Sequence, residues 1–175
     1  MTAKRLRIPR VLRKYLKDPS LDFIPDALPA STEQERVFVA ITPFADGLCS
    51  ARLLGTLGES EILNGWFCEN FAPIPLLSIK SEEFTASAFQ TLSKDLGLSH
   101  HRSRIVCGTG PVMFGAIGSK HWISHGSLGG VVEDVLEGCV VLSRDSSWVD
   151  LEVAGLLSIG SGTEVKVGAR RFRPI

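Results

Sequence analysis

The 175-residue sequence predicts an α+β domain: a mainly antiparallel sheet packed by two amphipathic helices, with a basic N-terminal helix in front. Two observations favour this class. Apolar or alternating segments are separated by hairpin-sized gaps, and they do not alternate strictly with helical segments as a parallel sheet requires. With 44% hydrophobic and 22% charged residues, the composition is that of a globular chain. It excludes a mostly disordered protein.

The first 31 residues form a predicted segment of their own, a basic helix followed by a proline-rich connector. Pro9 suits the first turn of a helix, apolar residues then recur at helical spacing, and Pro19 ends the pattern. Residues 32–175 are predicted to form one domain.

Two amphipathic helices and several strands are predicted within this domain. Ser81 is the expected N-cap of the first helix, which ends at Gly97, and Ser127 caps a second helix that ends at Gly138. Cys107 and the glycines after it are predicted to form the turn of a hairpin. The predicted strands share an apolar or alternating pattern: residues 36–42, 49–57, 104–107, 111–114, 139–142, 149–153 and 165–169.

Charge is unevenly distributed, although the net charge is zero. Both ends are basic and free of acids, whereas residues 18–165 carry a net charge of −11. The N-terminal bases are Lys4, Arg5, Arg7, Arg10, Arg13, Lys14 and Lys17, and the last ten residues add Lys166, Arg170, Arg171 and Arg173. Such clusters are typical of contact with a polyanion. The same pattern also fits docking on the chain's own acidic body or on a second copy, a membrane-surface helix, or an organellar transit segment.

A second hypothesis places chemistry near Cys107 and His125. A cysteine at the end of a strand, followed by a glycine-rich loop, can be exposed as a nucleophile. His125 precedes a predicted helix N-terminus, where free N–H groups can hold an anion. The competing interpretations are a tight hairpin turn and an ordinary capped helix.

No metal site or cofactor is predicted. The four cysteines are widely spaced, and the adjacent His100 and His101 have no partner at a ligand spacing. Asp150 and Glu152 alternate on a predicted strand, where they form its solvated face, bind a cation or act as an acid–base pair. Since no signal peptide is visible, we expect reduced cysteines and a cytoplasmic location.

The sequence therefore favours a non-catalytic binding or assembly module. Its basic ends would contact nucleic acid or an acidic protein surface, and homo-oligomers are compatible with the charge pattern. The alternative is a small-molecule-binding protein or enzyme with a pocket near Cys107 and His125, so the sequence leaves open whether the chain is an enzyme.

Overall fold

A computed structural model of the chain describes residues 32–43, 66–71, 74–96, 103–119 and 122–175. The predicted N-terminal helix and connector, and the predicted strand at 49–57, lie outside the described residues. The boundary predicted after residue 31 therefore stays a prediction.

The described chain is a mixed α+β fold with eight strands and three α-helices. In chain order the elements are β1 (Thr32–Pro43), β2 (Phe67–Phe71), β3 (Ile74–Lys80), α1 (Ala86–Asp95), β4 (Ser103–Ser119), β5 (Trp122–Leu128), α2 (Gly130–Val141), β6 (Trp148–Asp150), α3 (Leu151–Leu156), β7 (Val165–Val167) and β8 (Arg170–Pro174). A short 3₁₀ turn, Ser81–Glu83, lies between β3 and α1.

The strands form one sheet in the order β2-β3-β1-β4-β6-β8-β7, and β5 pairs with β4. The pairs β1–β3, β2–β3, β6–β8 and β7–β8 are antiparallel. The pair β4–β6 is parallel. The predicted class, α+β with a mostly antiparallel sheet, is confirmed.

The chain divides into two compact units. The larger one comprises residues 33–113 and 127–175 and contains α1, α2, α3 and most of the sheet. In the other unit, the described residues are Thr32 and those within 114–126, where the distal part of β4 pairs with β5.

Strand β4 runs without interruption through the segment predicted to be a hairpin turn, so that prediction is wrong. Gly108 and Gly110 do not form a turn; they allow other side chains to pack closely against the strand. A side chain at Gly108 would place its Cβ only 2.8 Å from Val135 of α2. Glycine is therefore needed here because another element approaches the strand closely.

Between Ser103 and Gly110, both faces of β4 are buried, and α1 and α2 cover opposite ones. Ile105 and Cys107 belong to a core cluster with Leu92 of α1. Val106 points the other way, as strand alternation requires, and lies under Gly138 of α2. This double coverage explains why the strand lacks a clean alternating pattern.

Both predicted helices exist, although each begins later than expected. Thr85, not Ser81, caps α1, and its hydroxyl accepts a hydrogen bond from the Ala88 amide at 3.1 Å. Ser127 belongs to β5, so Gly129 occupies the N-cap position of α2. Turn and cap residues thus indicated the helices correctly while misplacing their first residue.

Two predicted strands are helical instead. Residues 139–141 continue α2 to its end at Val141. In the predicted strand 149–153, β6 ends at Asp150, whose side chain caps α3 by accepting a hydrogen bond from the Val153 amide at 2.8 Å. Short segments like these are too short for their periodicity to separate a strand from a helix.

None of the described helices is long and apolar enough to cross a membrane. The cytoplasmic location stays a prediction.

Candidate functional site

The larger unit contains an open cavity of about 540 Å³, a volume typical of small-molecule sites. It lies between the first turns of α2, the junction of β6 with α3, and the turn that joins β7 to β8. Its lining residues come from four separate parts of the sequence: Pro111; Gly130, Val131 and Asp134; Asp150, Leu151 and Glu152; and Ala169, Arg170 and Arg171.

Asp150 holds three of these parts together. Asp150 is only 2% exposed. Its Oδ2 accepts hydrogen bonds from the Thr109 amide at 2.9 Å and from Arg170 Nη1 at 2.8 Å. Its Oδ1 accepts the Val153 amide at the start of α3. The carboxylate therefore connects β4, α3 and β8 behind the cavity.

Arg170 lies between two acids. Besides the bond to Asp150, its Nε lies 3.7 Å from Oδ2 of Asp134. The guanidinium occupies the space beside Gly110, where a side chain would collide with it. Gly168, with a φ of 55°, adopts the left-handed conformation, and a Cβ there would collide with the Asp134 carboxylate. These contacts fix the position of Arg170 in the cavity wall.

Two further carboxylates line the cavity, Asp134 with a side chain that is 13% exposed and Glu152. Asp134 contacts Arg170 only at ion-pair distance, beyond the reach of a hydrogen bond. Glu152, in the first turn of α3, is exposed and has no hydrogen bond or ion pair with any described residue. The cavity therefore offers acceptor oxygens to a ligand.

The C-terminal arginines predicted to bind a polyanion pair with acids of the same domain. Arg170 pairs with Asp150 and Asp134, as described above. Glu164 pairs with Arg171 at 3.6 Å and with Arg173 at 2.9 Å. Arg173 also donates to the carbonyl of Gly160 at 2.6 Å. The N-terminal bases lie outside the described residues.

Cys107 is fully buried in the core. Burial, and secondarily the Asp150 carboxylate, raise the pKa of its thiol well above the ordinary value. A thiol that stays protonated is a poor nucleophile. His125 lies in β5, and its predicted pairing with Cys107 stays a prediction.

The polar residues of the cavity were visible in the sequence, but their arrangement was not. The pattern of the predicted second helix places Asp134 on its polar face, and Asp150 and Glu152 are predicted on one face of a strand. An aspartate that directly precedes a helical segment is a typical N-cap. This signal could have assigned Asp150 to the end of a strand and Glu152 to the helix that follows. Within the described ranges, no three His, Cys, Asp or Glu side chains are grouped so as to hold a metal ion.

Comparison with known proteins identifies the fold through structure alone. No protein-family model matches the sequence, and no curated protein matches it. The adenylyl cyclase CyaB from P. aeruginosa matches with a TM-score of 0.58 at 13% identity, over 83% of this chain and 95% of that one. The guanylate cyclase domain of RhGC from Catenaria anguillulae, solved in complex with GTP, matches with a TM-score of 0.57 at 13% identity, over 83% and 98%.

A dimeric guanylyl cyclase domain of the RhoGC fusion protein, from the fungus Blastocladiella emersonii, matches with a TM-score of 0.55 at 13% identity. The match covers 81% of this chain and 96% of that domain. The chain therefore has the fold of adenylyl and guanylyl cyclase catalytic domains.

This finding corrects the function predicted from charge. The structural neighbours described above are cyclase catalytic domains, which contradicts a non-catalytic module that contacts nucleic acid or an acidic protein surface. The described C-terminal bases agree with the correction, because Arg170, Arg171 and Arg173 balance acids within the domain.

Proposed function

We propose that this chain is a nucleotide cyclase domain, which converts a purine nucleoside triphosphate into the cyclic monophosphate and pyrophosphate. The observation that carries the proposal is the match to the adenylyl cyclase CyaB over 83% of this chain and 95% of that one. The GTP complex of a second neighbour supports a purine nucleotide as the ligand.

In this reaction the ribose 3′-oxygen forms a bond to the α-phosphorus. The bond from that phosphorus to the oxygen bridging it to the β-phosphorus breaks, and pyrophosphate leaves. The 3′-hydroxyl proton passes to a base or to water. Because phosphoryl transfer depends mainly on positioning and on stabilisation of charge, the domain must hold the ribose and the phosphates in fixed relation.

The described cavity can supply part of this positioning. Its walls are rigid, because Asp150 and Arg170 connect them through hydrogen bonds of 2.9 Å or less. Arg171 lies at its edge with a side chain that is 67% exposed, so it can reach a phosphate in solution. Arginine suits this role because its planar group binds phosphate oxygens in pairs.

The test is an assay of purified protein with GTP or ATP in the presence of Mg²⁺ or Mn²⁺, since triphosphates are bound with a divalent cation. Cyclic nucleotide and pyrophosphate are quantified together by chromatography and mass spectrometry. We expect equimolar products, and a raised KM in Arg171→Gln. Arg144→Gln is the matched control, because it removes the same charge from an exposed turn.

One observation favours a second candidate, a cyclase-fold domain that binds the nucleotide without cyclising it. Arg170 and Arg171 are the cations among the cavity residues, and both are already paired with acids. A site that stabilises a transferring phosphoryl group needs positive charge aimed at it. Nucleotide binding by calorimetry, combined with no product after prolonged incubation, would select this candidate over the first.

We also propose that two copies of the chain associate. One structural neighbour is a dimeric guanylyl cyclase domain. In this chain, Met113 and Leu128 are 41% and 60% exposed, and Val140 and Val141 are 70% and 58% exposed. Val140 and Val141 are neighbours in the sequence, and contiguous exposed apolar surface is typical of sites that bind another protein. Light scattering coupled to size exclusion should give twice the monomer mass.

A further inference from the structure

We propose that the C-terminal half of α2 in one copy of the chain docks against the outer edge of β7 in a second copy, and that Glu137 pairs with Lys166 across this contact. The inference rests on the association of two copies proposed above, and it names the two surfaces that meet. Both surfaces belong to the larger unit, so each copy carries both halves of the contact.

The surface on α2 combines one acid with two apolar side chains. Glu137, Val140 and Val141 are spaced by three and four residues, so they share one face of the helix. The two valines are 70% and 58% exposed. Glu137 is exposed as well and has no hydrogen bond or ion pair with any described residue. An apolar centre beside a charged rim is the usual composition of a protein interface.

This end of α2 also favours contact with a cation. The last turn of the helix contains no basic residue, and Glu137 adds negative charge near the negative end of the helix dipole. Arg104 donates to carbonyls at this end, but it is buried beneath the helix. The exposed face therefore keeps an acid that a cation from outside can pair with.

Strand β7 provides the complementary surface. It is the last strand in the order of the described sheet, so its outer edge pairs with no other described strand. Val165 is 37% exposed, and Lys166 is exposed without a hydrogen bond or ion pair to any described residue. Arg171 lies opposite Lys166 in the register, but it is paired with Glu164. Lys166 therefore remains available to an acid of a partner.

The two surfaces lie next to each other within one copy. Helix α2 packs against β7, and Asp134 of α2 fills the space beside Gly168, directly after β7. A twofold axis between the helix and the strand then brings each α2 against β7 of the other copy, so that one arrangement forms both contacts. Such an arrangement closes as a dimer and covers both surfaces.

The test measures the dissociation constant of the full chain by light scattering and sedimentation over a dilution series, without nucleotide. Glu137→Lys and Lys166→Glu should each weaken association about tenfold, because each substitution places like charges opposite one another. Glu83→Lys and Lys94→Glu are the charge-matched controls, since both residues are exposed and lie outside the two surfaces. The controls should leave the dissociation constant unchanged.

An equimolar mixture of the Glu137→Lys and Lys166→Glu chains tests whether these two residues face each other. In the mixed dimer a lysine faces a glutamate at both contacts, so the mixture should associate as tightly as the unchanged chain. Mixing cannot restore a contact made within one copy. Val140→Asn should weaken association through the apolar part of the surface, whereas Leu156→Asn, at an exposed position of α3, should not.

The outcomes separate this inference from the proposals on which it rests. If the chain associates but neither charge reversal weakens association, or if the mixture fails to restore it, the contact between α2 and β7 is overturned while the association of two copies stands. If the full chain is a monomer at every concentration, both fail. Because no nucleotide is present, none of these results depends on cyclase activity.

Discussion

Replacement of Asp150 by asparagine should destabilise the domain by about 3 kcal/mol. Asparagine keeps the shape of the side chain and can still place one oxygen towards the Val153 amide at the start of α3. Its amino group must then face two donors, the Thr109 amide and Arg170 Nη1, which now share Oδ2 at 2.9 and 2.8 Å. Two hydrogen bonds to a charged acceptor are therefore lost, at about 1.5–3 kcal/mol each.

We expect a loss at the lower end of this range, because Arg170 keeps other favourable interactions after Asp150 is replaced. Its side chain is 20% exposed to water, and Asp134 remains 3.7 Å away. Asp150, by contrast, has a side chain that is only 3% exposed, so water cannot replace its hydrogen bonds. A loss of about 3 kcal/mol is a large share of the 5–15 kcal/mol that stabilises a typical domain.

Urea unfolding followed by tryptophan fluorescence measures this loss, since Trp148 is buried beside Asp150 in the same strand. Asp145→Asn is the control, because Asp145 is exposed and loses the same charge. A double-mutant cycle with Arg170→Met should give a coupling energy of at least about 1 kcal/mol. A change below about 0.5 kcal/mol in Asp150→Asn, with an unchanged m-value, would refute the role assigned to this carboxylate.

Three further predictions concern stability. Arg104→Met should cost about 2–4 kcal/mol in urea unfolding, because this buried arginine donates to three carbonyls at the end of α2. Gly168→Ala should lower the melting temperature, since its φ is 55° and Asp134 fills the space of a Cβ, whereas Gly155→Ala meets no atom within 4 Å and should not. Burial raises the pKa of the Cys139 thiol from 9.0 to about 12. The unfolded chain therefore loses this proton first, and the unfolding free energy should fall above pH 9 by up to about 1.4 kcal/mol per pH unit, less steeply in Cys139→Ala.

The fold class could be predicted because its signals are local. The apolar periodicity of α2 and the hairpin-sized gaps survive in the sequence whatever surrounds them. The continuity of β4 through residues 108–110 could not be predicted, although residues 104–107 and 111–114 were predicted as strands, because closely spaced glycines are typical of a turn. Glycine is required at positions 108 and 110 because α2 and Arg170 pack closely against the strand. Those contacts come from residues far away in the sequence.

The cavity could not be predicted for a related reason. Asp134, Asp150 and Arg170 are 16 and 20 residues apart, and no motif joins them. Their meeting depends on the parallel pairing of β4 with β6 and the antiparallel pairing of β6 with β8. Only the topology brings one arginine between two acids.

These contacts change how the uneven distribution of charge along the sequence is interpreted. Basic ends and an acidic body look like a surface prepared for an external polyanion, yet each of the three C-terminal arginines is paired with an acid of the larger unit. These pairs within the domain account for the C-terminal bases without an external polyanion, and the exposed Arg171–Glu164 pair contributes little to stability. The informative groups are those left over after this pairing. In the cavity, the group left over is the exposed carboxylate of Glu152, which has no partner among the described residues and can accept hydrogen bonds from a ligand.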